Sequence, residues 1–104
     1  MPDDAAPIFA ALGDPTRLAL LGRLQDGQPH AIVELTAGSG LSRQAISKHL
    51  AVLHEAGLVQ SRRVGRESRY LVRPQGVQQA RSYLAMVSRQ WDDALGRLKS
   101  FVED

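Results

Sequence analysis

The sequence predicts a mainly α-helical domain that carries one small β-hairpin, and three observations lead there. Two short helical segments are joined by a glycine-bearing turn, "TAGSGLSRQ", with a serine placed to cap the second. The apolar period then changes from helical to alternating over "LVQSRRV" and "SRYLV". After Pro74 a heptad-like seam runs almost to the end of the chain. With 104 residues there is room for one core, hence a single domain over 1–104, with a core segment at 8–74 and a long terminal helix at 75–104.

Ile8, Phe9, Ala11 and Leu12 predict a short first helix after Pro7, stopped by Gly13. Asp14 is placed as an N-cap with Pro15 at the first helical position, where a missing N–H costs nothing. Leu18, Leu21 and Leu24 follow at helical spacing, so a second helix is expected from Pro15 to about Gln25, before "DGQP". Residues 31–37, "AIVELTA", form a short third helix closed by "GSG". Ser42 caps a fourth helix from Arg43 to Ala56, which Gly57 ends. The hairpin follows, its tip expected at Gly65 to Glu67.

The last helix is expected from Gln75 to about Val102. Val77, Ala80, Leu84, Val87, Trp91, Ala94, Leu98 and Phe101 recur at intervals of three and four, and Tyr83, Leu95 and Val102 widen the stripe. A helix of about 40 Å cannot bury that stripe against a body built from the first 74 residues. The remainder is expected to meet a second copy of the chain, with Ile8, Phe9, Leu12, Leu84, Val87, Trp91, Leu95 and Leu98 at the interface. Folding back onto its own domain is the alternative.

On a wheel of about 100° per residue the fourth helix separates into two faces. Ala45, Ile46, Leu50, Val52, Leu53 and Ala56 form the buried arc, and His49 lies inside it as a core-edge residue with a satisfied ring nitrogen rather than a ligand. Gln44, Ser47, Lys48, Ala51 and Glu55 face outward, with Arg43 and His54 at the edge. Gln pairs with adenine, Arg or Lys with guanine or phosphate, and Ser with either, while a helix N-terminus favours phosphate. A merely solvated face would look similar.

Charge distribution separates these readings. The net charge is only +2, yet residues 41–74 hold seven basic and two acidic side chains, against two and five at 1–40 and four and four at 75–104. That local excess is the footprint of phosphate binding. Arg62, Arg63, Arg66, Arg69 and Arg73 concentrate on the hairpin, opposed by Glu67 alone. A basic hairpin after a helix-turn-helix suits a wing lying along a duplex with its tip near the minor groove. Strand alternation keeps all five from facing one way, and Arg63 and Arg66 are placed better than Arg73. The expected DNA-binding residues are therefore Ser42, Arg43, Gln44, Ser47, Lys48, Arg63 and Arg66.

Several classes are excluded. Without cysteine there is no disulfide framework, thiol catalysis or thiolate metal site. No stretch reaches the length of a membrane span, and "MPDDAAPIF" lacks the basic start of a signal peptide, so a cytoplasmic protein is expected. No Gly-rich phosphate loop, serine elbow or paired acid and base points to an enzyme. His30, His49 and His54 have no ligand spacing, and Asp92 and Asp93 diverge on their helix, so neither a metal nor another cofactor is expected.

The series "LGDPTRLALLGRL", "LSRQAISKHLAVLHEAGLV" and "RRVGRESRYLV" resembles the ArsR/SmtB family of bacterial winged-helix repressors over about residues 8–73. The terminal "YLAMVSRQWDDALGRLKSFVED" is similar to the branch that lacks metal-sensing ligands. The resemblance implies a winged helix-turn-helix that dimerises through its first and last helices. It further implies a homodimeric repressor of double-stranded promoter DNA, binding an imperfect palindrome. Nothing in the sequence identifies an effector. The competing reading is a winged helix used as a protein-interaction module.

Overall fold

The computed structural model describes residues 2–103, with side chains from Ala5 to Glu103. Its elements run α1 (Pro2–Leu12), α2 (Pro15–Arg23), β1 (His30–Ala31), α3 (Ile32–Thr36), α4 (Arg43–Glu55), β2 (Val59–Val64), β3 (Glu67–Val72) and α5 (Pro74–Glu103). The three strands form one antiparallel sheet in the order β1-β3-β2.

Local chemistry sets most boundaries where the sequence places them. Asp14 caps α2, its Oδ2 accepting the N–H groups of Thr16 at 2.9 Å and Arg17 at 3.1 Å. Those bonds, the Arg17 one foremost, hold the Asp14 carboxyl below its ordinary range. Ser42 caps α4 through a 3.1 Å bond from the Ala45 N–H, and Gly57 ends it in the left-handed region at φ 79°.

Three expectations need correction. Helix α1 begins at Pro2 and keeps Pro7 inside it; the donor that Pro7 lacks lies near the helix start, where its loss disturbs one carbonyl rather than the whole ladder. The hairpin turn is shorter than expected. Val64 pairs with Glu67, so Glu67 belongs to β3 and the loop is Gly65–Arg66 alone, with Gly65 at φ 61°, the arrangement of a type II′ turn. Finally, His30 and Ala31 form a strand paired with Tyr70 and Arg69, a ladder too short to leave a period in the sequence.

The core gathers Ile8, Leu20, Leu35, Ile46, Leu50 and Leu53 from four helices, with Leu24 just after α2 and Leu58 and Val59 where β2 begins. Helix α5 joins it only through its first turns. Gly76 and Ala80 are its buried residues. A Cβ at Gly76 would lie 2.1 Å from the Gly57 oxygen, so only glycine lets α5 start against the turn that ends α4. The Arg73 N–H completes that junction with a 2.9 Å bond to the Leu58 carbonyl.

Candidate nucleic-acid interface

Helix α4 is fixed from behind. Ile46, Leu50 and Leu53 are fully buried, and half-buried His49 sits where the wheel puts it, at the core edge. Its Nδ1 lies 3.3 Å from Arg17 Nη1, and the same guanidinium donates from Nε to the Ala11 carbonyl at 2.6 Å. The Asp14 carboxylate stands 3.9 Å from His49 Nδ1. One polar cluster thus ties α4 to α2 and to the end of α1. Val52 departs from the expected buried arc, because at the arc's edge it meets only a shallow groove with Pro7, Ala10 and Ala51 and stays 40 % exposed.

The outward face carries the expected polar side chains. Ser42, Arg43, Gln44, Lys48 and Ala51 are exposed, and Ser47 is half-buried. Arg43, Gln44 and Ser47 line one groove together with Ala31, Ile32 and Val33, and with Glu67 and Ser68 at the start of β3 beside the turn. Arg63 stands opposite Ser68 in the ladder, which puts it on the same sheet face as that groove-lining serine. Arg66 occupies the turn itself. Among the described residues Arg43, Lys48, Arg62, Arg63 and Arg66 form no ion pair. Arg69 differs, since its guanidinium bonds Glu67 Oε1 at 2.8 and 3.1 Å. The hairpin's one carboxylate is thereby neutralised within its own strand.

Helix α3 is anchored by a second polar set. Arg23 donates to the carbonyls of Leu35 at 2.9 Å and Glu34 at 3.1 Å, covering the C-terminal end of α3. His30 lies between two carboxylates, with Nε2 2.9 Å from Asp26 Oδ2 and Nδ1 against Glu34 Oε2. Asp26 first and Glu34 second raise the imidazole above its ordinary value. In return both carboxyls are lowered, Asp26 chiefly by the Gln28 N–H and Glu34 chiefly by His30. Sequence reading left His30, Val33 and Ser68 out of the site. Val33 faces outward because it lies one helical step from Ile32, whose core packing only the structure shows.

The residues expected to meet a second copy divide. Ile8 is 2 % exposed and belongs to this chain's own core, a correction with a simple cause: the inner side of α1 has to seal the body. Phe9 and Leu12 are half-buried, and the Phe9 ring meets Tyr83 of α5 at 5.5 Å. Val87 is half-buried, while Leu84, Trp91, Leu95 and Leu98 remain exposed along α5, with Trp91 at 61 %. Among the described residues no three His, Asp or Glu side chains are arranged to hold a metal ion, and no helix is long and apolar enough to cross a membrane.

Known proteins resemble this arrangement. A family described as a helix-turn-helix domain matches residues 12–62. A probable mercury resistance operon repressor of Streptomyces lividans is 41 % identical over 71 residues, covering 68 % of this chain and 56 % of that protein. The structure of an ArsR-like transcriptional regulator from Rhodococcus sp. RHA1 superposes with a TM-score of 0.80 at 35 % identity, over 95 % of this chain and 92 % of the other. The homodimeric winged helix-turn-helix DNA-binding domain of Mb0332 from Mycobacterium bovis gives 0.65 at 27 % identity, over 89 % and 82 % of the two chains.

Proposed function

The chain belongs to the ArsR/SmtB family of winged helix-turn-helix transcriptional regulators, and we propose that it acts as a homodimeric repressor on a palindromic promoter operator. One observation carries this reading: Arg43, Gln44 and Ser47 share a groove beside a hairpin whose Arg63 and Arg66 have no acidic partner among the described residues. Gln44 and Arg43 suit bidentate pairing with adenine and guanine in the major groove. Ser42, at the start of α4, and Lys48 suit phosphates. The wing, led by Arg63 and Arg66, lies along the flanking backbone toward the minor groove.

Residues 8–74 form the DNA-binding core in this reading and 75–104 the dimerisation helix, with Phe9, Leu12, Leu84, Val87, Trp91, Leu95 and Leu98 between the copies. The homodimeric state of the Mycobacterium bovis domain supports a dimer, and the exposed apolar stripe of α5 supports its placement there. A chain without cysteine, whose last helix contains no histidine, regulates without a metal and works in the cytoplasm. It carries no catalytic role.

Selection of bound DNA from a random pool tests the function. The expected outcome is a palindrome with half-sites about one helical turn apart or a multiple of it. Gln44→Ala should cost about 1–3 kcal/mol at one base pair per half-site and leave the fold intact. Unchanged discrimination between operator and random DNA would remove Gln44 from base reading.

A further inference from the structure

We propose that Val33 is a specificity residue that recognises thymine, its two methyl groups packing on the base's 5-methyl group at the edge of the groove lined by Gln44 and Ser47. The inference rests on the DNA-reading assignment above and adds a base and a residue to it.

An exposed valine alone is ordinary. What distinguishes Val33 is its company and its fixity. It is 57 % exposed, and it lines the same groove as Arg43, Gln44 and Ser47. Its own helix cannot roll to hide it. Leu35 is fully buried and Ile32 packs on the core, which fixes the rotation of α3 and sends Val33 outward. Arg23 holds the far end through the Leu35 and Glu34 carbonyls, the Thr36 hydroxyl donates to the Ile32 carbonyl at 2.7 Å, and His30 links Glu34 to Asp26. A β-branched side chain on a helix also has one strongly preferred χ1, so the methyls are aimed before any ligand arrives.

A preset apolar knob among polar readers asks for an apolar group on an otherwise polar surface. In the major groove only thymine offers one, the 5-methyl. Val33 also lies outside the α1 and α5 surface expected to meet a second copy, so dimerisation does not account for its exposure.

Replacing each thymine of the selected operator by uracil removes that methyl and leaves every hydrogen-bonding atom in place. Wild-type protein should lose about fourfold in affinity per half-site at one thymine, the worth of one buried methyl-sized group. Val33→Ala should bind the thymine and uracil operators equally, and Val33→Thr, which keeps the branched shape, should bring the ratio closer to one. Circular dichroism checks that both variants fold. No thymine-sensitive position in the wild type, or a ratio that persists in Val33→Ala, overturns the assignment. Failure of the wild type to prefer any DNA is a different result, which refutes the DNA-reading assignment itself.

Discussion

His30 uses both ring nitrogens, one toward Asp26 and one toward Glu34, and only the protonated ring can donate to both. Its folded value is raised above the ordinary 6.5, so its contribution to stability is full at lower pH and disappears as pH rises through the raised value. Asp26 and Glu34 run the other way, lowered from 3.8 and 4.5, and lose theirs as pH falls through the folded values. These three groups together favour the fold most between about pH 4.5 and 6.5. Melting temperature should therefore fall from pH 6.5 toward 8.5, and His30→Gln should flatten that fall. An equal fall in the variant would assign it to other groups.

Two histidines mark what a sequence displays at this scale. His49 was legible because a helical wheel alone places it at the core edge, where Arg17 meets it. His30 was not, because its partners sit four residues away on either side in a segment that is loop, strand and helix in turn. Ile8 exposes a different limit. An apolar residue on an amphipathic helix looks the same whether its own core or another copy covers it, and here its own core does.

Among the elements, capping chemistry made α2 and α4 readable, since Asp14 and Ser42 each bond the N–H groups that their positions predict. The junction between α4 and α5 was silent. Gly76 follows Pro74 in what reads as an ordinary helix start, and its necessity comes from Gly57, nineteen residues away in a turn that packs against it. Gly76→Ala should destabilise the protein by about 1–3 kcal/mol, the range for forcing atoms into filled space, with a melting temperature lowered by several degrees. Gly22 is the control. A Cβ there would have nothing within 4 Å, so Gly22→Ala should be neutral or stabilising by up to about 1 kcal/mol. Equal effects at the two positions would show that the close approach carries no energy.

For the whole molecule, surface area argues for a partner. The chain exposes 7199 Å², whereas a compact monomer of 11.4 kDa should expose roughly 5,800 Å². The excess, about 1,400 Å² per chain, doubles to the size of an obligate dimer interface. It arises because a 30-residue α5 stretches the molecule to 66 Å along its longest axis. Light scattering should give twice the chain mass, and Leu95→Glu should give a monomer with unchanged helicity and weakened operator binding. A monomeric wild type at micromolar concentration would defeat the symmetric half-site arrangement. The long helix was the most legible element of the sequence, because a three-four spacing held over so many turns has few causes other than a helix.

Helix α5 leaves the body at one close seat on Gly57, braced two turns later where Phe9 meets Tyr83. A helix of 30 residues is a rigid arm of about 45 Å, and a rotation of about 5° at its seat sweeps the free end through about 4 Å. In the proposed homodimer, a slight change in how two such helices cross would re-space the two copies of α4 against a DNA helical repeat of about 34 Å. The missing side chain at Gly76 is what allows that seat.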